Sequence, residues 1–401
     1  MLLADYLAVG VAISLPWSTS ATGIFIAAWL LALLPTLDVA TVRRELATAA
    51  GGLPVLLWVL GVVGMLWADV SWTERFHGLD SFHRLLMVPL LLAQFRRSEH
   101  GRWVIYGFFI SSATVLLVSY GLVLTPGLTW RGSEGGGVPV HDYIYQSSAF
   151  LICAFAVLGW ACDESRQRRW PKALEFIAIA ALFLGNIAFV ATSRTTLVVF
   201  PVLALLLGWR QYRGKGLLAA IVLAGVVGAA TWFTSPFLRG RVLHSIEELQ
   251  DYSTTNAVTS AGMHAALFKE SLSIIARAPI IGHGTGSIPE EFRRIAAGET
   301  GATAVAAVNP HNQTFGVAIQ LGFLGAAVLW SMWAAHFHLF RGGGLFAWVG
   351  AVVVVENVVS SFFFSHLFDF SNGWLYVFGI GVLGGMALRE RAVRPEPAAP
   401  V

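Results

Sequence analysis

The sequence predicts an all-α polytopic membrane protein of about twelve transmembrane helices with a helical cap on one face. Three observations predict it. Hydrophobic residues make up 56% of 401 residues and charged residues 12%, a balance outside that of soluble domains. The apolar residues fall in runs approaching the roughly 20 residues that a bilayer core requires. Lys and Arg sit in short clusters between those runs, the pattern of topology signals. The net charge of +3 therefore reads as topology rather than as a nucleic-acid surface.

The runs lie near 2–16, 20–36, 52–68, 83–96, 103–125, 144–162, 173–192, 195–209, 216–233, 312–333, 345–365 and 374–388. The first Lys or Arg is Arg43, so the apolar start lacks a basic leader and reads as a retained helix. Pro16-Trp17-Ser18-Thr19-Ser20 divides the first pair as a hairpin. Cys153 and Cys162 fall nine residues apart in one run, too far along a helix to bridge. Arg43-Arg44, Arg96-Arg97 with Arg102, Arg166 to Lys172, Arg210 to Lys215, Arg341, and Arg389 to Arg394 occupy alternate connections. The positive-inside rule makes that side cytoplasmic, with both termini inside.

The opposite face then receives segments 69–82, 126–143 and 234–310, plus the tight turn at 193–194. The reading divides the chain into bundle residues 1–233, a long outer helical loop 234–310, bundle residues 311–390 and a cytoplasmic tail 391–401. Gly132-Ser133-Glu134-Gly135-Gly136-Gly137 reads as a loop. The loop 234–310 is long but patterned: apolar residues recur at helical spacing near 240–252 and 261–277. Ser287-Ile288-Pro289-Glu290 resembles a capping box opening a further short helix.

The candidate chemistry lies on that outer face. Asn309-Pro310-His311-Asn312 suits a helix start, with Asn309 as N-cap, Pro310 first and His311 in the first turn. The positive helix end would keep His311 neutral and able to accept a proton; the alternative is a polar residue marking the membrane boundary. Arg194 splits an apolar stretch into a hairpin whose second arm, about fifteen residues or about 22 Å long, falls short of a roughly 30 Å hydrocarbon core. So sunken a cation calls for an anion: a lipid-linked phosphate, or a carboxylate of the bundle, unless it snorkels to the interface. Arg84 faces the same side as an interface anchor or a further anion contact. Gly282-His283-Gly284-Thr285-Gly286 reads as a turn that could also cradle phosphate. Glu356 within a span calls for a partner, an Arg or a helix end. His366 and Asp369 could orient His311 or act as alternative bases. No close acid pair, zinc-spaced cluster or Walker loop is present in the sequence, which points to metal-independent chemistry without a cofactor.

The Ser193-Arg194 turn, the segment Thr259 to Gly286 with Ser271-Leu272 and Pro279-Ile280-Ile281-Gly282-His283-Gly284-Thr285-Gly286, and Asn309-Pro310-His311-Asn312 followed by Gly322 resemble the O-antigen ligase and polymerase superfamily, in particular the O-antigen ligases of Gram-negative inner membranes. The resemblance implies a GT-C-like glycosyltransferase with its cap and active site periplasmic. It implies transfer of a polysaccharide from undecaprenyl pyrophosphate to a sugar hydroxyl of lipid A-core, with His311 matching the catalytic His and Arg194 the pyrophosphate-binding Arg. Where relatives often carry a loop-helix Arg, this chain reads Ser260-Ala261-Gly262-Met263-His264. His264, or Arg277 or another loop Arg, would then supply that contact. An O-antigen polymerase is the nearest alternative, and a lipid or solute transporter is the alternative from another class.

Overall fold

The computed structural model describes residues 1–125, 127, 130, 136–191 and 193–393, and these residues are all helical or loop. Most of the glycine-rich stretch 132–137 lies outside the described residues. In chain order the helices are α1 Leu2–Ser14, α2 Thr19–Leu33, α3 Val39–Leu46, α4 Ala49–Gly64, α5 Trp72–His83, α6 Met87–Phe95, α7 Gly101–Leu124 and α8 Tyr143–Arg166. There follow α9 Trp170–Phe189, α10 Arg194–Thr234, α11 Pro236–Thr255, α12 Ser260–Arg277, α13 Ile288–Ala296, α14 Gln313–Leu339, α15 Leu345–Ser360 and α16 Phe370–Val393.

Each of the twelve apolar runs carries helix, but among the described residues seven helices are long and apolar enough to cross a membrane, or eight if the bent pair α3 and α4 forms one span. The difference from twelve has two sources. Four runs, those of α1, α4, α6 and α15, hold helices of fewer than 18 residues, whereas α2 reaches 18 with the 3-10 turn that continues it to Thr36; the shorter ones fall below the length a straight crossing requires. Two others are arms of α10, whose helical path breaks at Tyr212 and at Arg213, with φ of 53°. At that break Gly208 and Gly216 stand backbone to backbone, an approach that side chains would prevent. The chain is a multi-pass membrane protein by these apolar helices.

Hydrogen bonds and ion pairs join the basic connections at one end of the bundle. Arg96 pairs with Glu45 at 3.2 Å and Arg97 with Asp38 at 3.5 Å. Arg389 meets Glu99, Arg391 donates to the carbonyl of Leu339 at 2.7 Å, and Arg210 to that of Gly342 at 2.8 Å. Clusters scattered through the sequence thus share one face, as the alternation of Arg and Lys requires.

Two polar side chains inside the bundle, His336 and Glu356, have identifiable partners. Pro54 lies inside α4 and lacks the N–H that would bond the carbonyl of Ala50. The ring of buried His336 meets that carbonyl at 2.9 Å and the Tyr376 hydroxyl at 2.6 Å. Glu356 is partnered by the hydroxyls of Ser148 and Ser360 rather than by the Arg or helix end expected of it.

The cap comprises α11, α12 and α13, covering the two patterned stretches and the short helix read from sequence. Buried Leu267, Ile274 and Ile275 of α12 and Ile288 and Phe292 of α13 pack on Ala318 and Ile319 of α14. Ser287 is the residue before α13 but makes no side-chain cap bond; its backbone is already helical, which turns the hydroxyl away from the amides it would cap. The complete capping box lies instead at Ser71 and Glu74, opening α5.

The glycine turn 282–286 joins cap to bundle. Its Gly282, Gly284 and Gly286 have φ of 68°, 92° and 90°, left-handed values that glycine alone adopts freely. Its amides are spent on the bundle: His283 donates to Ile319 O at 2.8 Å, Gly284 to Gln320 O at 2.9 Å, Thr285 to Gly64 O at 3.1 Å and Gly286 to Gln320 Oε1 at 2.8 Å. In return Phe323 donates to Pro279 O at 2.7 Å and Leu324 to Ile280 O at 3.2 Å. That exchange is possible because α14 breaks at Gly322, with φ of 62°. The turn is a splice between segments rather than a phosphate cradle.

A Cβ on Gly322 would stand 2.2 Å from the carbonyl oxygen of Ile280, and the left-handed backbone adds strain. Gly322→Ala is expected to cost about 1–3 kcal/mol and to loosen the cap. Thermal unfolding in detergent combined with protease protection of residues 236–300 checks it; an unchanged midpoint and cleavage pattern would contradict the splice.

Candidate active site

His311 sits where the cap returns to the bundle, but the local start differs from the expected one. Asn312 is the N-cap of α14, accepting from the Phe315 amide at 3.1 Å, so His311 lies just outside the helix. Asn309 accepts from the His311 amide at 2.9 Å and from the Ser365 hydroxyl at 2.7 Å. Both Asn side chains thus cap short backbone turns, as Asn does well, and the second displaces the helix start by three residues. Between them His311 takes φ of 50°, a left-handed value uncommon for a residue with a side chain. Such backbone persists where the surroundings over-determine it.

The surroundings are the loop between α15 and α16. The Asn312 side-chain amide donates to Phe362 O at 3.2 Å. The Gln313 amide donates to Ser361 O at 2.8 Å, and its Oε1 accepts from the Leu367 amide at 2.9 Å. Every residue from 309 to 313 except Pro310 and His311 thus spends a side chain on holding the corner. The imidazole is left half-buried, and its Nδ1 is buried without a hydrogen-bond partner.

His264 of α12 lies against it, with ring centroids 4.9 Å apart. Phe364 stands edge-on to both, 5.9 Å from His264 and 5.1 Å from His311, and 5.8 Å from His366 behind it. Burial pushes His311 below the ordinary histidine value. Burial, with the charges of His311 and Arg194, brings His264 to about 4, against the pull of Glu248. Both imidazoles are therefore neutral near pH 7, so desolvation does what the helix end was expected to do.

Arg194 opens α10 beside its N-cap Ser193, whose hydroxyl accepts from the Thr196 amide at 3.1 Å. Its guanidinium meets Glu248 of α11 at 3.0 Å, and the same carboxylate oxygen accepts from the Ala261 amide at the start of α12 at 3.2 Å. His244 stands 3.4 Å from its other oxygen. Burial pulls the Glu248 carboxyl upward, but the Ala261 amide and Arg194 outweigh it and leave it below the usual range. The anion that the sequence demanded for Arg194 is here a carboxylate of the cap.

The structure thus brings His311, His264, Arg194 and Glu248 into one neighbourhood, the last two joined directly and Arg194 and Glu248 both close enough to act on His264 electrostatically. Arg84 stands apart. It does not open a span: the chain is helical from α5 to α6 through a 3-10 turn at Arg84–Leu86. Pro89, which cannot donate to the carbonyl of Leu85, weakens the ladder there. The buried Arg84 guanidinium donates to the carbonyls of Phe368, Asp369 and Phe370. Asp369 accepts from the Asn372 amide at 2.8 Å and so caps α16. Arg277 lies 3.5 Å from Glu291, leaving His264 as the cap residue that faces His311. Glu248 and Phe364 carry no sequence signal of their own: one lies in an ordinary amphipathic helix, the other in a run of three Phe.

Comparison with known proteins agrees with the region singled out. No curated protein matches the chain. Residues 177–330 match the O-antigen ligase family, a stretch that contains Arg194, the cap, the glycine turn and His311. That stretch, less than half of the chain, is similar to the O-antigen ligase family.

Proposed function

We propose that the protein is an O-antigen ligase that transfers polysaccharide from undecaprenyl pyrophosphate to a sugar hydroxyl of lipid A-core, with its site on the periplasmic face of a Gram-negative inner membrane. The similarity of residues 177–330 to the O-antigen ligase family supports glycosyltransferase-type activity in general. The observation that carries the finer reading is the neutral, left-handed His311, stitched in place on both sides and left with an unpartnered Nδ1.

In this reading His311 removes the proton of the acceptor hydroxyl as its oxygen attacks the anomeric carbon. The C–O bond to pyrophosphate breaks, and the departing lipid pyrophosphate takes the electron pair. Arg194 meets the growing phosphate charge. Its pairing with Glu248 supports that role, because it shows this guanidinium edge engaging an oxyanion. His264, beside the base and within electrostatic reach of the arginine, would contact the donor's phosphates as a neutral donor. Arg84, engaged with three carbonyls, supports the loop behind Phe364 and reaches the donor only through it. The displacement is direct and inverts the anomeric centre; neither metal nor cofactor takes part.

The pH dependence follows from the depressed imidazoles. A base below the ordinary histidine value of about 6.5 stays unprotonated to lower pH, so the acid limb of transfer is expected below about 6.5. Stability follows the same sign. A histidine with a lowered folded value contributes stability that is present above about 6.5 and lost as pH falls towards about 4, the value of His264. A pH–rate profile with its acid limb above 7 would contradict the assignment.

A further inference from the structure

At the other end of α14, 27 residues and about 40 Å from His311 at about 1.5 Å per residue, lies a cavity of about 570 Å³. It is bounded by the last turn of α8, the break in α10, the end of α14 and the start of α15. Four arginines line it, Arg166, Arg210, Arg213 and Arg341, against one carboxylate, Asp163. At the rim Arg391 and Glu390 approach the glycines 342–344 and balance one another. Among the described residues none of the four arginines forms an ion pair. Arg210 donates to the carbonyls of Gly342 and Gly344 at 2.8 and 3.2 Å, and Arg166 to that of Gln211. Arg210 also lies over the Trp348 ring, 5.5 Å from its centroid.

Topology signals alone do not call for this arrangement. A basic connection serves that purpose from any solvated position, whereas here guanidinium groups from three segments, the end of α8, the break of α10 and the end of α14, surround one space. Their mutual repulsion favours an anion between them. Guanidinium forks match the tetrahedral oxygens of phosphate better than ammonium groups do. The wall also has an apolar side, with Leu206, Phe337 and Leu345, and the cavity lies at the ends of α8 and α14, two helices long and apolar enough to cross a membrane.

We propose that this cavity binds a phosphate ester, supplied by the headgroup of an anionic phospholipid in the adjoining leaflet, with Arg341 and Arg166 as its outer contacts and Arg210 its inner one. Basic pockets between helices on the positive side are the physical setting for such lipids. The left-handed Gly342 and Gly344, with φ of 118° and 96°, and the side-chain-free Gly343 keep one wall bare, admitting a headgroup beside backbone.

The test uses the full-length protein in neutral detergent, titrated with fluorescent phosphatidylglycerol, with phosphatidylcholine as the zwitterionic control and inorganic phosphate as the soluble competitor. Phosphatidylglycerol is expected to bind at least about tenfold more tightly than phosphatidylcholine and to weaken with salt. R166Q/R341Q should lose at least about tenfold of that affinity while keeping the wild-type unfolding temperature. R341Q alone, at an exposed position, should lose a smaller part and serves should the double variant fail to fold. Equal binding of the two lipids, or unchanged binding by the variant that folds, overturns the site. Displacement of phosphatidylglycerol by inorganic phosphate at equal concentration overturns the lipid as source. Transfer activity is not read, so the outcome is independent of the role proposed for His311.

Discussion

His311→Ala is expected to lower glycan transfer by about 10²- to 10⁴-fold, the usual contribution of a positioned general base, while leaving the fold intact. The backbone corner is held by Asn309, Asn312 and Gln313, and the imidazole itself makes no hydrogen bond that those residues depend on. Alanine in place of a residue at φ of 50° costs little more than histidine does there. The loss should therefore appear in the rate of transfer and not in the unfolding temperature. Full transfer by this variant would remove His311 from the mechanism. His264→Ala should act differently, weakening donor binding more than the rate, because its ring stands beside the base without a path to the acceptor proton in the proposed step.

Arg194→Ala is the second large effect. A charge-assisted hydrogen bond contributes roughly 1.5–3 kcal/mol, so binding of the lipid pyrophosphate is expected to weaken by about 10- to 150-fold. Arg194→Lys should recover only part, since a point charge replaces the fork. The comparison needs Glu248→Gln beside it: Glu248 holds Arg194 and the start of α12 together, so a loss caused only by a loosened cap would appear in both variants. The phosphate role requires that Arg194→Ala lose binding and that Glu248→Gln retain it. Unchanged donor binding by Arg194→Ala would contradict the role.

Much of this arrangement is legible in the amino-acid sequence. Apolar runs show themselves by composition, and α11 and α12 by helical spacing around Leu243, Ile246 and Leu249 and around Leu267, Leu272 and Ile275. The burden of a sunken cation in a hairpin points to Arg194 needing an anion. What escapes is decided by competition between neighbours. Asn309 and Asn312 are equally good caps, and only the tertiary bond from Ser365 to Asn309 settles which one opens α14. A glycine turn reads alike whether its amides face phosphate or, as here, the broken turn of α14 at Gly322. The number of crossings is equally hidden, because a run of fifteen apolar residues is the same string whether it spans, dips or packs against a neighbour.

The most direct measurement gives the purified wild-type protein a defined undecaprenyl-pyrophosphate-linked glycan and lipid A-core in detergent and weighs the products by mass spectrometry. A ligase is expected to yield a new species equal to core plus glycan, joined with inverted anomeric configuration, and released undecaprenyl pyrophosphate, without added metal. Extension of one lipid-linked glycan by another with the core untouched would identify a polymerase, and movement of lipid across vesicles without any covalent product would identify a transporter; either result would contradict the ligase reading.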